Sequence, residues 1–324
     1  LFVKAVATGV YMLRLVLVKI YVKRKYPALD FYAEPNEGAL KQKNAALLHQ
    51  VVGIIVNNTD TTVLTICLGA KSLLEVSVYG IYMMVVNAVN QLMTSFSNGL
   101  TAGFGEVIAK NEEETLKKSY SSYEYMYFVI MFIVIACMGV LILPFVGVYT
   151  INLTDVQYVR PVLGILFTLI VFMQNVRIPG LTIICAAGHY KETRYQAILE
   201  AVINITVSLG LVWKFGMAGV LLGTVCSYGY RSFEIVFYTS RHLVKGCAKK
   251  SMFRILRNVF TVAILCTVGT YVIPQEITSF TTWFLYAIGM GLTSVFFVVV
   301  INYVVEPDEF MQLRHRVNDI IKKE

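Results

Sequence analysis

Residues 44–68 read NAALLHQVVGIIVNNTDTTVLTICL. The run is proline-free and largely apolar, and a helix of about 20 such residues crosses a bilayer. Its centre, however, holds six consecutive polar residues from Asn57 to Thr62, including the ionisable Asp60. A helical projection resolves the conflict. At about 100° per residue with His49 at zero, Gln50 falls near 100°, Gly53 near 40°, Asn57 near 80°, Asp60 near 20° and Thr61 near 120°. One polar stripe results, while Val51, Val52, Ile55, Val56, Val63 and Ile66 take the remaining arc. Thr59 and Thr62 are expected to bond their own preceding carbonyls, and Asn58 has no place on the stripe. The segment therefore reads as a membrane helix with one polar side.

Composition extends this reading to the whole chain. Of 324 residues, 57% are hydrophobic and 15% charged, against roughly 45–50% and 25% for soluble domains. Nine apolar spans are expected, at 3–22, 44–68, 74–102, 122–148, 161–187, 196–213, 216–238, 254–273 and 281–304. They are too long and too unbroken for the alternating strands of a barrel, so the expected fold is an all-α membrane protein. The six cysteines lack CxxC pairing and the four histidines are isolated, which gives no metal site and no disulfide framework.

The net charge of +8 is unevenly spread. Basic residues follow the first, third, fifth, seventh and ninth spans, including Lys23, Arg24, Lys25, Lys117, Lys118 and the run Arg241 to Arg257 (RHLVKGCAKKSMFRILR). The alternate loops hold only Lys71, Arg160 and Lys214. By the positive-inside rule the odd spans end in the cytoplasm, as does the carboxyl terminus. Membrane lipids account for the basic charge without a nucleic-acid partner. The first span must then begin outside. Since LFVKAVATGV has no initiating Met and no signal-peptide layout, the expectation is that an amino-terminal part with an odd number of spans is missing.

Polar residues align within other spans too. Asn87, Asn90, Gln91, Thr94, Ser97, Asn98 and Thr101 share one face of the third span, and Gln196, Glu200, Asn204 and Ser208 step by four along the sixth. Gln174 and Arg177 precede Pro179-Gly180 in the fifth, where a kink is expected. Arg14 lies near the middle of the first. Single amides of this kind commonly join helices. Continuous stripes on several helices exceed that need, and the ionisable Arg14, Asp60, Arg177 and Glu200 should face a cavity, a partner or a substrate. Gly219 and Gly223 form a GxxxG pattern, read as close helix packing. The tyrosines of SYSSYEYMYF, 119–128, read as an interfacial aromatic belt. The acidic cluster Asp30, Glu34 and Glu37 reads as a solvated loop.

Taken in order, NNTDTTVLTICLG, VSVYGIYMMVVNAVNQL and FGEVIAKNEEETLKK resemble the seventh and eighth helices of Wzx-type polysaccharide flippases, within the multidrug, oligosaccharidyl-lipid and polysaccharide exporter superfamily. YVKRKYPAL is similar to the end of their sixth helix, and EAVINITVSLGLV with GMAGVLLGTVCSYGYR to their eleventh and twelfth. The resemblance implies a fourteen-helix fold of two six-helix lobes plus two extra helices. Residues 1–43 would be the last helix of the first lobe with a cytoplasmic linker, 44–240 the second lobe, and 241–324 a basic loop, the two extra helices and a cytoplasmic tail.

It also implies a function. The protein would flip undecaprenyl-diphosphate-linked oligosaccharide across the cytoplasmic membrane by alternating access, for capsule, O-antigen or a related polymer, and would not be an enzyme. Polysaccharide polymerase and chain-assembly proteins are the implied partners. Arg14 and Arg177 would meet the diphosphate, while Gln174, Asn57, Asn87, Asn90, Gln91 and Asn204 would meet sugar hydroxyls. Asp60 or Glu200 would take a coupling H⁺ or Na⁺, with no other cofactor. The alternatives are a multidrug antiporter, a peptidoglycan-precursor flippase, a membrane glycosyltransferase and a purely structural subunit.

Overall fold

A computed structural model describes residues 2–27, 42–69, 72–274, 276–312 and 314. The acidic cluster Asp30, Glu34 and Glu37 lies outside them. The chain divides into two units, Leu1–Lys43 and Asn44–Glu324. The first carries α1 (Phe2–Lys25), on which Arg14 is exposed.

The second unit is a helical bundle, with no strand among the described residues. Its helices are α2 (Lys43–Cys67), α3 (Ser72–Ser97), α4 (Leu100–Ala109), α5 (Glu113–Tyr149), α6 (Pro161–Val176) and α7 (Ile178–Ala186). After them come α8 (Arg194–Phe215), α9 (Met217–His242), α10 (Cys247–Val272) and α11 (Phe280–Val305). With α3–α4 and α6–α7 each counted as one passage, and α1 of the first unit included, seven passages among the described residues are long and apolar enough to cross a membrane. Helices α2 and α9, both read as spans in the sequence, fall short of that measure. Their polar load is the reason: α2 carries the NNTDTT run, and α9 carries Arg231, Glu234 and Arg241.

Two of the passages are interrupted in their helical hydrogen bonding. At the kink expected before Pro179 the helix lapses at the single residue Arg177, which ends α6 and precedes α7 while keeping right-handed helical dihedrals (φ −80°, ψ −15°). The other break, at Asn98-Gly99, was not anticipated; Gly99 adopts φ 86°, a left-handed conformation costly for residues with a β-carbon. Helix α3 packs on α6 and α4 on α7, with Asn90 level with Gln174 and Asn175, and Ser97 and Thr182 meeting at the Tyr123 hydroxyl.

Between α8 and α9 lies a single residue, Gly216, at φ 58°. The two helices form a tight antiparallel hairpin. Gly219 and Gly223 let the backbones meet, because a β-carbon at Gly223 would collide with Ser208 and Asn204, and one at Gly219 with Leu211. The GxxxG pattern is thus a packing device, as expected from the sequence.

Helix α5 has 37 residues, about 55 Å at 1.5 Å per residue, longer than the roughly 30 Å hydrocarbon core. It packs against α3, α6, α10 and α11. The tyrosine-rich start of this helix is not an aromatic belt. Tyr120, Tyr123, Tyr125 and Tyr127 are buried, and three of their hydroxyls donate inward: Tyr120 to Glu124, Tyr123 to Ser97 and Tyr127 to Asn175. The polar partners, Glu124 on α5 itself, Ser97 on α3 and Asn175 on α6, receive these hydroxyls inside the bundle, which hydropathy alone does not reveal.

The basic run 241–257 is likewise only partly a loop. Helix α10 begins at Cys247 and takes Lys249, Lys250, Arg254 and Arg257 into helix. Arg254 is fully buried, bonded to Glu124 at 3.0 Å and to Glu306 at 2.7 Å, while Arg257 reaches Glu306 at 2.8 Å. These paired cations no longer belong to a free lipid-facing charge run.

Candidate functional site

Helix α2 touches the bundle with one side. Val52, Val56, Thr59, Asp60, Val63 and Leu64 are buried and repeat at helical spacing, whereas Gln50, Asn57, Asn58 and Thr62 are exposed. Thr59 and Thr62 donate to Ile55 O and Asn58 O at 2.7 and 2.8 Å, as expected. Asn58, which the projection left unplaced, satisfies itself by donating to Ile54 O at 2.8 Å.

Two cavities lie along this helix. One, of about 390 Å³, is lined by Asn57, Asn58, Asp60, Asn87, Asn90 and Gln174, among others. The second, of about 330 Å³, is bounded by His49, Gln50, Arg177, Glu200 and Arg231. Val56, Asn57, Gln174 and Tyr228 line both, so the two share a wall. The Tyr228 hydroxyl donates to Asn57 Oδ1 at 3.2 Å, and its ring carries the Arg177 guanidinium 4.5 Å from the centroid.

In the first cavity Asp60 is buried, accepting from Thr224 at 2.7 Å and Tyr79 at 3.3 Å. No ion pair forms to it among the described residues. Thr224 also accepts from Asn204 Nδ2 at 3.0 Å, and Asn204 Oδ1 is buried without a partner. Asp60 and Thr224 thus bring a carboxylate and a hydroxyl together across α2 and α9, a pairing suited to a proton, while Asn204 on α8 turns its amide N–H, a donor, toward Thr224. On the opposite wall Asn90 donates to Gln174 at 2.9 Å and accepts from Asn175 at 2.9 Å. Asn87 is exposed on the same lining.

The second cavity is ionic. Glu200 accepts from Arg177 through Oε1, and Arg231 Nε lies 3.6 Å from its Oε2. Arg231 in turn donates to Glu234. His49 Nε2 is 2.9 Å from Tyr190 O, which ties α2 to the turn after α7.

The expected residues therefore divide. Asn57, Asp60, Asn87, Asn90, Gln174, Arg177 and Glu200 converge on the two cavities. Gln91 is exposed and lines neither, and Asn204 is buried in the α8–α9 contact instead of forming the lining. Arg14 belongs to the first unit. The two acidic residues expected to share one role have different surroundings: hydroxyls around Asp60, guanidiniums around Glu200. Arg231 and Glu234 went unremarked in the sequence, although two ionisable residues three apart within a span were a legible signal. No group of three or more His, Cys, Asp or Glu side chains stands ready for a metal ion among the described residues.

A scan against protein-family models finds no match for the chain, and a comparison with curated proteins finds none either.

Proposed function

We propose that this protein exports undecaprenyl-diphosphate-linked oligosaccharide, flipping it from the cytoplasmic to the outer leaflet by alternating access for assembly of a surface polysaccharide. One observation carries the reading. An otherwise apolar helical bundle carries two adjoining polar cavities: the guanidiniums of Arg177 and Arg231 share one with the amides Asn57 and Gln174, and those two amides also line the other, with Asn87 and Asn90. Guanidinium suits a diphosphate, amides suit sugar hydroxyls, and charged groups within membrane spans mark substrate pathways.

The resemblance to Wzx-type flippases supports the same cargo. On this reading α1 is the last helix of a first lobe, α2 to α9 form the second lobe, and α10 and α11 are the extra pair. The loop charges orient the carboxyl terminus and the Arg177 end of the cavity toward the cytoplasm, where lipid-linked sugars are made. Asp60 takes the coupling H⁺ or Na⁺. Polymerase and chain-assembly proteins are the partners in the membrane.

A multidrug antiporter is the competing reading, favoured by Asp60 and the aromatics Tyr79, Phe167 and Tyr228 around one cavity. Such a pump takes cations, for which Arg177 and Arg231 are poor hosts. Competition binding separates the two. The purified protein should bind a polyprenyl-diphosphate sugar and lose it on Arg177→Ala; binding of a lipophilic cation with no affinity for the diphosphate would decide for the antiporter.

A further inference from the structure

The lining of the ionic cavity holds two guanidiniums, Arg177 and Arg231, and one carboxylate, Glu200, while Glu234 pairs with Arg231 outside that lining. Arg177 and Arg231 face Glu200 and Glu234, with side chains between 2% and 15% exposed. Glu200 bridges the two guanidiniums, one through each oxygen. A tetrahedral phosphate joining the same two cations would need that position. Arg177 has donor capacity to spare, since its Nε is buried with no partner. Its other fixed neighbour is the face of Tyr228, which gives no hydrogen bond back.

We infer that Glu200 is the internal counter-anion of an acidic-headgroup site formed by Arg177 and Arg231, and that the cargo's phosphate displaces it on binding. The inference rests on the anionic cargo proposed above and adds a role for Glu200 distinct from ion coupling. An ion pair already formed in a dry site neutralises the cations until a stronger, multiply charged acceptor arrives. The placement gives displacement a mechanical reach. Arg177 is the single residue joining α6 to α7, Glu200 stands on α8 and Arg231 on α9. When the headgroup takes the guanidiniums, the tie between the α6–α7 junction and the α8–α9 hairpin passes through the cargo. In this structure the Glu200 carboxylate makes that tie itself.

The sign of one substitution tests this. Farnesyl diphosphate, a short isoprenoid carrying the same headgroup, is titrated into purified wild-type protein and into Glu200→Gln, Glu234→Gln and Arg177→Ala. Removing a competing unit charge a few ångströms away should tighten Glu200→Gln binding by about tenfold. Glu234→Gln, which relieves Arg231 alone, should tighten it by less, and Arg177→Ala should lose it. Unchanged or weaker binding in folded Glu200→Gln overturns the counter-anion; if Arg177→Ala still loses the ligand, the anionic-cargo reading stands. If wild type and Glu200→Gln bind no farnesyl diphosphate, both fail. Should Glu200→Gln not fold, Glu234→Gln decides: tighter binding supports the inference and unchanged binding overturns it.

Discussion

The guanidinium of Arg177 lies 4.5 Å from the ring centroid of Tyr228, whose hydroxyl closes the wall between two cavities by bonding Asn57 at 3.2 Å. The ring holds the cation and the hydroxyl holds α2. Tyr228→Phe keeps the first function and Tyr228→Leu removes both. A desolvated cation–π contact contributes about 2 kcal/mol. Surface-polymer export in cells at matched protein level should fall modestly for the Phe variant and at least several-fold further for Leu. Equal export by the two would remove the ring from the account.

Asp60 has hydroxyl neighbours and no ion pair among the described residues. As the coupling carboxylate it carries the driving ion, so Asp60→Asn should abolish the dependence of transport on an imposed H⁺ or Na⁺ gradient while leaving diphosphate-lipid binding within about twofold. Gradient-driven uptake at the wild-type rate in reconstituted vesicles would reassign the role.

The close approach of α8 and α9 depends on Gly223. A methyl group there meets Ser208 and the Asn204 carbonyl oxygen, and overpacking of this kind costs about 1–3 kcal/mol. Gly223→Ala should lower the unfolding temperature in detergent, while Gly210→Ala, with open space beside it, should not. Unfolding temperatures within a degree of each other for both would contradict the packing described.

Much of this arrangement is legible in the sequence, and what is missing has definite physical causes. Hydropathy and length expose the spans because lipid demands them, and Pro179 marks the break at Arg177. The periodicity of Gln196, Glu200, Asn204 and Ser208 finds one helix face but cannot say what that face meets. Glu200 meets the cavity; Asn204 and Ser208 meet α9, which the flanking glycines bring close. Local sequence also gives no sign that Glu124, Glu306 and Glu309, all far from Arg254 along the chain, neutralise it. A cationic run therefore reads as loop where the structure has helix.

That acidic set predicts a pH response. Burial alone would raise the Glu306 carboxyl, but hydrogen bonds and charge from Arg254 and Arg257 outweigh it and hold Glu306 below the usual carboxylate range. Lys250 and Ser121 do the same for Glu309 against its burial. With folded values below unfolded ones, both contribute stability that is complete above the unfolded value of about 4.3 and lost as pH falls through the folded values. The unfolding temperature should drop below about pH 4, with a shallower drop in Glu306→Gln. Removing the buried cation is harsher. Arg254→Met strands Glu124 and should cost about 3–5 kcal/mol, and adding Glu124→Gln should recover part of it.

Vesicle flipping tests the central claim most directly. The protein is reconstituted into liposomes holding a fluorescent polyprenyl-diphosphate oligosaccharide, and the fraction of headgroup open to an external sugar-cleaving enzyme is followed in time. Wild type should move the headgroup between leaflets, and Arg177→Ala should slow that movement at least about tenfold, the size of one lost charge-assisted contact. Movement no faster than in protein-free liposomes, or equally fast with Arg177→Ala, would contradict the account.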